Sequence, residues 1–297
     1  MVIIGETAAR DDILHPLDVW RRDQMPRLNS YVLVTPDDPK EILTVPALFK
    51  NDSAFELVTG MKTSRYVSDY SNVTLQEFLK EVSGPAQTGY LPIVSMNTNG
   101  RKRTEIVGTA VFHGPKMVGH LDSEESLGLL WLLNQVHGSS VGILDPATGR
   151  PVQLEVTESH VRIQSEVHGQ AVSVQLLLSV RGTMANTPPG LRYTSKTLAG
   201  LETQFGKEVL RQINRTMEKL QKQYRADLIG IGLRIYRHDP AAWHRLARGW
   251  DTAFGKADVQ MRVRVQIYHQ GLINRNRGTM EPKSGYAPYP VLPSFSE

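Results

Sequence analysis

The stretch Gly108-Thr109-Ala110-Val111-Phe112-His113-Gly114-Pro115-Lys116-Met117-Val118-Gly119-His120-Leu121 contains two short apolar runs with turn-forming residues between them. The runs Thr109 to Phe112 and Met117 to Leu121 predict two strands. The connection from His113 to Lys116 contains Gly114-Pro115, which is typical of a turn. The stretch therefore predicts a β-hairpin.

A helix is predicted directly after this hairpin. Asp122 fits the N-cap position, and Glu125 places a second acidic group where the free amides of the first turn and the helix dipole favour it. Leu127, Leu130 and Trp131 then form the expected buried face. A hairpin followed at once by a capped amphipathic helix indicates an α+β fold.

The chain downstream continues with strands and amphipathic helices. Residues Val172 to Val180 alternate between apolar and polar with the period of two that a half-buried antiparallel strand shows. The expected elements are strands at Val152 to Thr157, His160 to Val167 and Ala171 to Val180, which form a meander, helices from Thr197 to Arg225 and from Asp239-Pro240 to Trp250, and a closing strand from Val259 to Ile267. In the second of these helices, Trp243, Leu246, Ala247 and Trp250 share the predicted apolar side.

The chain upstream is expected to mix strands and helices in the same way. Its clearest helix follows Thr74, which forms a capping box with Glu77. Strands are predicted at Val2 to Ile4 and at Ser30 to Val34, and a helix from Asp52 to about Tyr66. The predicted class is thus α+β, with mixed or antiparallel sheets, amphipathic helices packed on them, and two or more domains.

Three regions are expected along the 297 residues. The polar, charged segment Asn97 to Arg103 reads as a hairpin tip or an inter-domain link, and we place a boundary just after it. Residues 1–107 form an incomplete N-terminal α/β region, and residues 108–277 form a C-terminal domain. Residues 278–297 are rich in proline, glycine and serine and are expected to be a disordered tail.

Composition excludes several classes of function. The chain has no cysteine, which excludes disulfides and cysteine-ligated zinc, and its formal charge of +4 is too small to indicate a nucleic acid partner. No apolar run approaches the ~20 residues that a membrane helix needs. No phosphate loop or complete dinucleotide loop occurs, since Gly230-Ile231-Gly232 lacks a third glycine, and no small-molecule cofactor is expected.

The sequence contains no recognisable pattern of catalytic groups. Asp227, Glu155, Glu158 and Glu166 are the carboxylates that could pair as acid and base, but solvated charge is the default interpretation of each. His120 with Asp122 and Glu125, and His238 with His244, lack metal-ligand spacing. We therefore predict no catalytic, cofactor-binding or metal residues. Trp131, Trp243 and Trp250 are expected to pack in the core.

Two basic groups leave a binding function open. Arg101-Lys102-Arg103, and Arg262 with Arg264, could contact phosphates of lipid or nucleic acid. A weak polyanion-binding module is therefore one alternative function, although ordinary solvated surface is the expected reading of both groups.

A resemblance to a known family covers nearly the whole chain except the tail. The string Gly108 to Gly119, the segment Glu124 to Leu133, and the segment Tyr224 to Gly232 are similar to the C-terminal domain of the Ger(x)C, or GerAC-like, spore germination proteins. Upstream, Ile3 to Glu6 and Arg27 to Val34 are similar to internal segments of the N-terminal region of that family.

The resemblance implies the C subunit of a nutrient germinant receptor. Members of this family are non-enzymatic lipoproteins that act with integral membrane A and B subunits, at the outer face of the inner membrane of spores. This chain has no signal peptide or lipid-acceptor cysteine before Ile3, so we expect a form truncated at its N-terminus. A hydrolase that acts on cortex peptidoglycan is the alternative enzyme interpretation.

Overall fold

Two separate β-sheets with helices packed on them form the fold, which confirms the predicted α+β class. The computed structural model describes residues 1–22, 28–46, 53–67, 70–146, 148–186 and 194–268. The predicted tail, residues 278–297, lies outside the described residues.

The first sheet has five strands in the order β1-β2-β3-β4-β5. Strands β1 to β3 pair in parallel, and β3 to β5 pair in antiparallel fashion, so the sheet is mixed. The strands are β1 Val2–Gly5, β2 Val32–Thr35, β3 Thr88–Asn97, β4 Arg103–His113 and β5 Lys116–Leu121. The helices of this part are α1 Glu6–Asp12, α2 Leu14–Arg22, α3 Pro39–Thr44, α4 Ser53–Val67 and α5 Leu75–Val82.

The elements that the sequence predicted most accurately are those that contain a recognisable turn or helix cap. The hairpin β4-β5 forms as predicted, with Gly114 at a φ of 55° in its turn. The capping box of Thr74 and Glu77 begins α5, and the segment between Asn97 and Arg103 is a hairpin connection between β3 and β4. These elements were predictable because their signals lie within a few residues of each other.

The second sheet has four strands in the order β6-β7-β8-β9, with the last pair parallel. The three predicted strands of the meander are only two in the structure: the first two form one continuous strand with an irregularity between Val156 and Glu158, and this strand pairs antiparallel with the third, as predicted. Because the extra residue is absorbed as a bulge, the chain does not turn there. The strands are β6 Ser140–Leu144, which was not predicted, β7 Pro151–His168, β8 Ala171–Asn186 and β9 Asp258–Ile267.

Five helices accompany this sheet in the described part of the chain: α6 Ser123–Leu132, α7 Ser195–Glu218, α8 Ile231–His238, α9 Pro240–Leu246 and α10 Trp250–Lys256. The long predicted helix ends in a π-helical segment, Lys219–Tyr224, and stops at Arg225, whose φ is 51°. Helix α8 was not predicted. Ala247 is exposed, so its assignment to the buried side of the tryptophan helix was wrong: a short 3₁₀ turn at Ala247–Gly249 interrupts that helix and turns the residue outward.

The buried apolar residues divide near the predicted boundary. The largest core cluster runs from Val111 to Ile267, whereas the other two draw mainly on residues 4–94. The first sheet nevertheless continues across residue 107, because that residue lies inside β4. The division into domains of residues 1–107 and 108–277 therefore stays a proposal. The separation of the core clusters supports it, but the first sheet contains strands from both sides of the boundary.

Candidate functional site

A cleft of about 410 Å³ lies where the first sheet meets the segment that follows α6. Val73, Phe78 and Leu130 are buried apolar residues at its lining. Its polar lining consists of Ser64, Tyr70, Asn72, Glu77, Glu81, Tyr90, Asn134, Gln135 and His137. The volume falls in the range of ~300 to 1,000 Å³ that small-molecule sites occupy.

The polar groups of the cleft suit hydrogen bonding. Burial raises the pKa of Glu81, against the opposing effect of Lys80. Burial also raises the pKa of Tyr90 to about 12, so its hydroxyl stays protonated at neutral pH. The Gln135 side chain donates to the Tyr90 oxygen at 3.4 Å. Ser64 donates to the Met61 carbonyl at 2.8 Å and is therefore held by α4 itself.

Sequence reasoning missed this cleft. Glu77 was recognised only as a capping residue, and its carboxylate does accept from the Thr74 amide at 2.8 Å. Glu81 lies four residues further, on the same side of the helix. Two carboxylates one turn apart were the local signal, but the opposite wall comes from Asn134 and Gln135, which no local pattern connects to α5.

The Asp227 carboxylate is buried at the start of α8. Its side chain accepts from the amides of Ile231 at 3.0 Å and Gly232 at 2.6 Å. The indole N–H of Trp250 donates to the same carboxylate at 3.2 Å. Burial raises the pKa of Asp227, and these three donors work against that rise. The carboxylate satisfies free amides of the helix N-terminus.

The sequence interpretation of Asp227 as a solvated charge was therefore wrong. The residue is 3% exposed because the chain turns at Gly230, with a φ of 76°, and brings α8 and Trp250 over it. Gly232 permits the close contact, since a Cβ there would lie 2.8 Å from the Trp250 ring.

Asp227 also joins the two sheets. The Thr88 hydroxyl, at the start of β3, donates to the Asp227 main-chain carbonyl at 2.8 Å. Tyr224 makes a second bond of this kind, donating to the carbonyl of His120 at 2.8 Å. The region after α7 is thus fastened to β3 and β5.

The other three candidate carboxylates do not meet Asp227. Glu155, Glu158 and Glu166 are exposed and spread along β7. Glu158 pairs with Arg181 at 3.3 Å, on the neighbouring strand. These four carboxylates do not form the convergent acid and base that the hydrolase interpretation requires.

The histidine groups that we examined for metal ligation also stay apart. His120, His238 and His244 are exposed. Among the residues that the structure describes, no three His, Asp or Glu side chains lie together in a way that could hold a metal ion. Glu125, which we considered with His120, instead faces α7.

Ion pairs connect the start of α6 to α7. Glu125 is 1% exposed, and its carboxylate pairs with Arg215 at 3.0 Å and Lys219 at 2.6 Å. Arg215 also pairs with Asp122 at 2.6 Å and Glu124 at 2.7 Å. The acidic N-terminus of α6, which the sequence predicted as a cap, therefore also fixes the position of α7.

The tryptophans are core residues, as predicted. Trp131, Trp243 and Trp250 are buried, and the rings of Trp243 and Trp250 lie 5.3 Å apart between centroids. The Trp131 indole donates to the Gln212 side chain at 3.1 Å. Each of these indoles therefore packs inside the largest core cluster.

The basic groups lie on two different surfaces. Arg101, Lys102 and Arg103 are exposed at the tip of the β3-β4 hairpin. Arg262 and Arg264 are exposed on β9, as their alternation with apolar residues predicted. No helix in the described ranges is both long and apolar enough to cross a membrane.

Two protein-family models match most of the chain. The model described as "Spore germination B3/ GerAC like, C-terminal" matches residues 107–271, and "Spore germination protein N-terminal domain" matches residues 1–96. The matched ranges fall on either side of the β3-β4 hairpin tip.

Curated relatives from Bacillus subtilis (strain 168) are similar over most of this chain. Spore germination protein YndF is 26% identical over 89% of this chain and 66% of its own length. Spore germination protein B3 is 20% identical over 93% of this chain and 74% of its own length. Spore germination protein KC is 27% identical over 68% of this chain and 54% of its own length. The chain thus spans just under two thirds of the YndF protein and about half of the KC protein.

A solved structure, the crystal structure of the GerBC protein, shows the same fold. It aligns with a TM-score of 0.72 at 18% identity, over 90% of this chain and 78% of the other. At that identity the likeness establishes the fold alone.

Proposed function

Because this chain belongs to the GerAC-like family of spore germination proteins, we propose that it acts as a non-enzymatic subunit of a nutrient germinant receptor. In that role it associates with integral membrane A and B subunits at the outer face of the spore inner membrane. The full-length family form would reach that membrane as a lipoprotein.

The observation that carries this proposal is the extent of the family match. The two family models together reach from residue 1 to residue 271, interrupted only between residues 96 and 107. The matched range includes both sheets, so the whole described fold is that of the family. The names of the three relatives each describe a spore germination protein.

The arrangement of the acidic residues supports a non-enzymatic role. Asp227 uses its carboxylate to hold α8 and Trp250, and Glu125 uses its carboxylate to hold α7. Glu155, Glu158 and Glu166 are exposed along one strand. The carboxylates of Asp227 and Glu125 are thus occupied by structural partners, and those of Glu155, Glu158 and Glu166 are exposed to solvent.

Co-purification tests the proposed association. The chain, carrying an affinity tag, is expressed in cells with the A and B subunits, and the membranes are solubilised in mild detergent. We expect both subunits to be retained with the tagged chain and to be lost when the tag is placed on an unrelated protein. Absence of both subunits at matched expression would contradict the proposed partners.

Incubation with purified spore cortex separates this role from the hydrolase alternative. We expect no release of soluble peptidoglycan fragments by the purified chain, with a known cortex hydrolase as positive control. Fragment release by the unaltered chain would refute the non-enzymatic assignment. Its loss in the variants Glu155→Gln, Glu158→Gln and Glu166→Gln would place the active site on β7, and its persistence would place it elsewhere.

A further inference from the structure

One face of the second sheet is open to solvent along its length in the described part of the chain. The inward residues of β8, from Val172 to Val180, are buried in the largest core cluster. The alternate residues of β7, β8 and β9 point to the other face, because side chains alternate along a strand. On β9 these outward residues are all exposed: Asp258, Gln260, Arg262, Arg264 and Gln266.

The strand register brings three arginines together on this open face. Leu177 of β8 pairs with Arg162 of β7 on one side and with Arg262 of β9 on the other. Ser179, the next outward residue of β8, pairs with Arg264. We call Arg162, Arg262 and Arg264 the arginine patch. Arg162 and Arg262 lie about 10 Å apart across Leu177, since neighbouring strands are spaced by ~4.8 Å.

The acidic residues of the same face lie away from the patch. Glu166 and Asp258 both align with Ser173, four residues along β8 from Leu177, which is about 13 Å. The glutamines Gln164, Gln175 and Gln260 form the row between the arginines and these acids. At the other end, Glu158 is paired with Arg181.

The patch therefore carries positive charge that the fold does not neutralise. Within the described ranges, Arg181 forms an ion pair with Glu158 on this face, the His168 ring lies 3.6 Å from the Glu166 carboxylate, and no ion pair involves the patch. Charge complementarity therefore favours an anionic partner. The planar guanidinium fork suits phosphate oxygens better than a lysine ammonium does.

We propose that the arginine patch binds the phosphate headgroups of an anionic phospholipid bilayer. The centres of protein–protein interfaces are enriched in aromatic residues and methionine, and arginine is the charged residue that they also favour. Here the residues around the arginines, Ser179, Gln164, Gln175 and Gln260, are polar, no aromatic residue is among them, and the apolar Leu177 is only partly exposed. A flat surface of phosphates matches this arrangement. The second sheet would lie against the bilayer, with α7 on its opposite side facing away.

The strength of this contact follows from its charge. A basic residue beside an anionic leaflet contributes about fivefold to membrane partitioning, so three contribute on the order of 100-fold. The attraction is screened over a Debye length of ~8 Å at physiological salt. The patch is thus expected to orient the chain on a membrane and to bind weakly when it acts alone.

Vesicle sedimentation tests the proposal without any receptor subunit, so its result is independent of the proposed function. The full chain is mixed at low ionic strength with vesicles that contain phosphatidylglycerol, or with vesicles of phosphatidylcholine only. The test variant combines Arg162→Gln, Arg262→Gln and Arg264→Gln. The matched control combines Arg101→Gln, Lys102→Gln and Lys116→Gln, which removes the same charge from two hairpin turns.

We expect binding to the phosphatidylglycerol vesicles only, a loss on the order of 100-fold in the test variant, and a loss of a few-fold at most in the control. Thermal melts should show both variants folded. Equal losses in the two variants, binding to phosphatidylcholine alone, or no binding by the unaltered chain would overturn the proposal. Patch-dependent retention on heparin or DNA without vesicle binding would assign the patch to a polyanion instead.

Discussion

Replacing Asp227 with alanine should destabilise the protein far more than removing an exposed aspartate. The change leaves the amides of Ile231 and Gly232 and the indole N–H of Trp250 buried without their acceptor. Each unsatisfied buried donor costs ~1 to 3 kcal/mol. Loss of a desolvated carboxylate offsets part of this cost. We expect a net loss of about 3 to 5 kcal/mol in the free energy of unfolding.

Asp239 provides the matched control. It is exposed, caps α9, and accepts one bond, from the Ala242 amide at 2.9 Å. Asp239→Ala removes the same charge and should cost about 1 kcal/mol, as the loss of an N-cap does. Urea unfolding followed by circular dichroism gives both values. Equal losses for Asp227→Ala and Asp239→Ala would refute the role that we assign to the buried carboxylate.

The pH dependence of this loss gives a second test. Burial raises the pKa of Asp227, so between the unfolded and the folded pKa the folded protein binds more protons than the unfolded chain. The contribution of this carboxyl to stability is therefore largest below its unfolded pKa of ~3.9 and falls as pH rises through the folded value. The difference between the unaltered chain and Asp227→Ala should be larger near pH 4 than at pH 7. A difference that grows with pH would show that the three donors outweigh burial.

Three further predictions concern packing, and each is measured by urea unfolding. Trp250→Ala should cost about 3 to 5 kcal/mol, because the indole is buried against other aromatic rings; an unchanged stability would reject its core assignment. Gly128→Ala should destabilise the protein by about 2 kcal/mol, because the new Cβ would lie 2.0 Å from the Thr216 hydroxyl oxygen. Gly200→Ala is the matched control: its Cβ would meet open space within a helix, so this change should stabilise the protein by about 0.5 to 1 kcal/mol. Glu125→Ala should cost about 1 to 2 kcal/mol, because the buried carboxylate accepts from the Asp122 amide in the capping box and also pairs with Arg215 and Lys219. Glu158→Ala removes a pair between two exposed side chains and should cost less than about 0.5 kcal/mol; similar values for the two would contradict the assigned ion pairs.

The elements that sequence predicted well carry their signals locally. The boxes at Thr74 and Asp122 each need only two residues three positions apart. The alternation of β9 likewise predicted its exposed face. By contrast, the split of β7 into two strands was wrong because a bulge and a turn disturb the period of two in the same way. The short strand β6 has too few residues to establish a period.

The sites were harder to predict because they depend on distant pairs. Arg262 and Arg264 were noticed on their own strand, but Arg162 joins them only through the register of β8. Asp227 was noticed as a carboxylate, but its burial depends on Trp250, far along the chain. The sequence thus shows the charge and type of each residue, but it does not show which distant residues surround a group and shift its pKa.

The parallel pairing of β8 with β9 has a consequence for synthesis on the ribosome. Ser173 pairs with Asp258, about 85 residues further along the chain. The edge of β8 that pairs with β9 therefore stays unpaired until the ribosome has synthesised β9. At ~10 residues per second, that edge stays unpaired for about 8 seconds. An unpaired strand edge is a template for aggregation during that interval. Slowing or stopping translation before residue 258 should therefore yield chains that depend strongly on chaperones, while release after β9 has emerged should not.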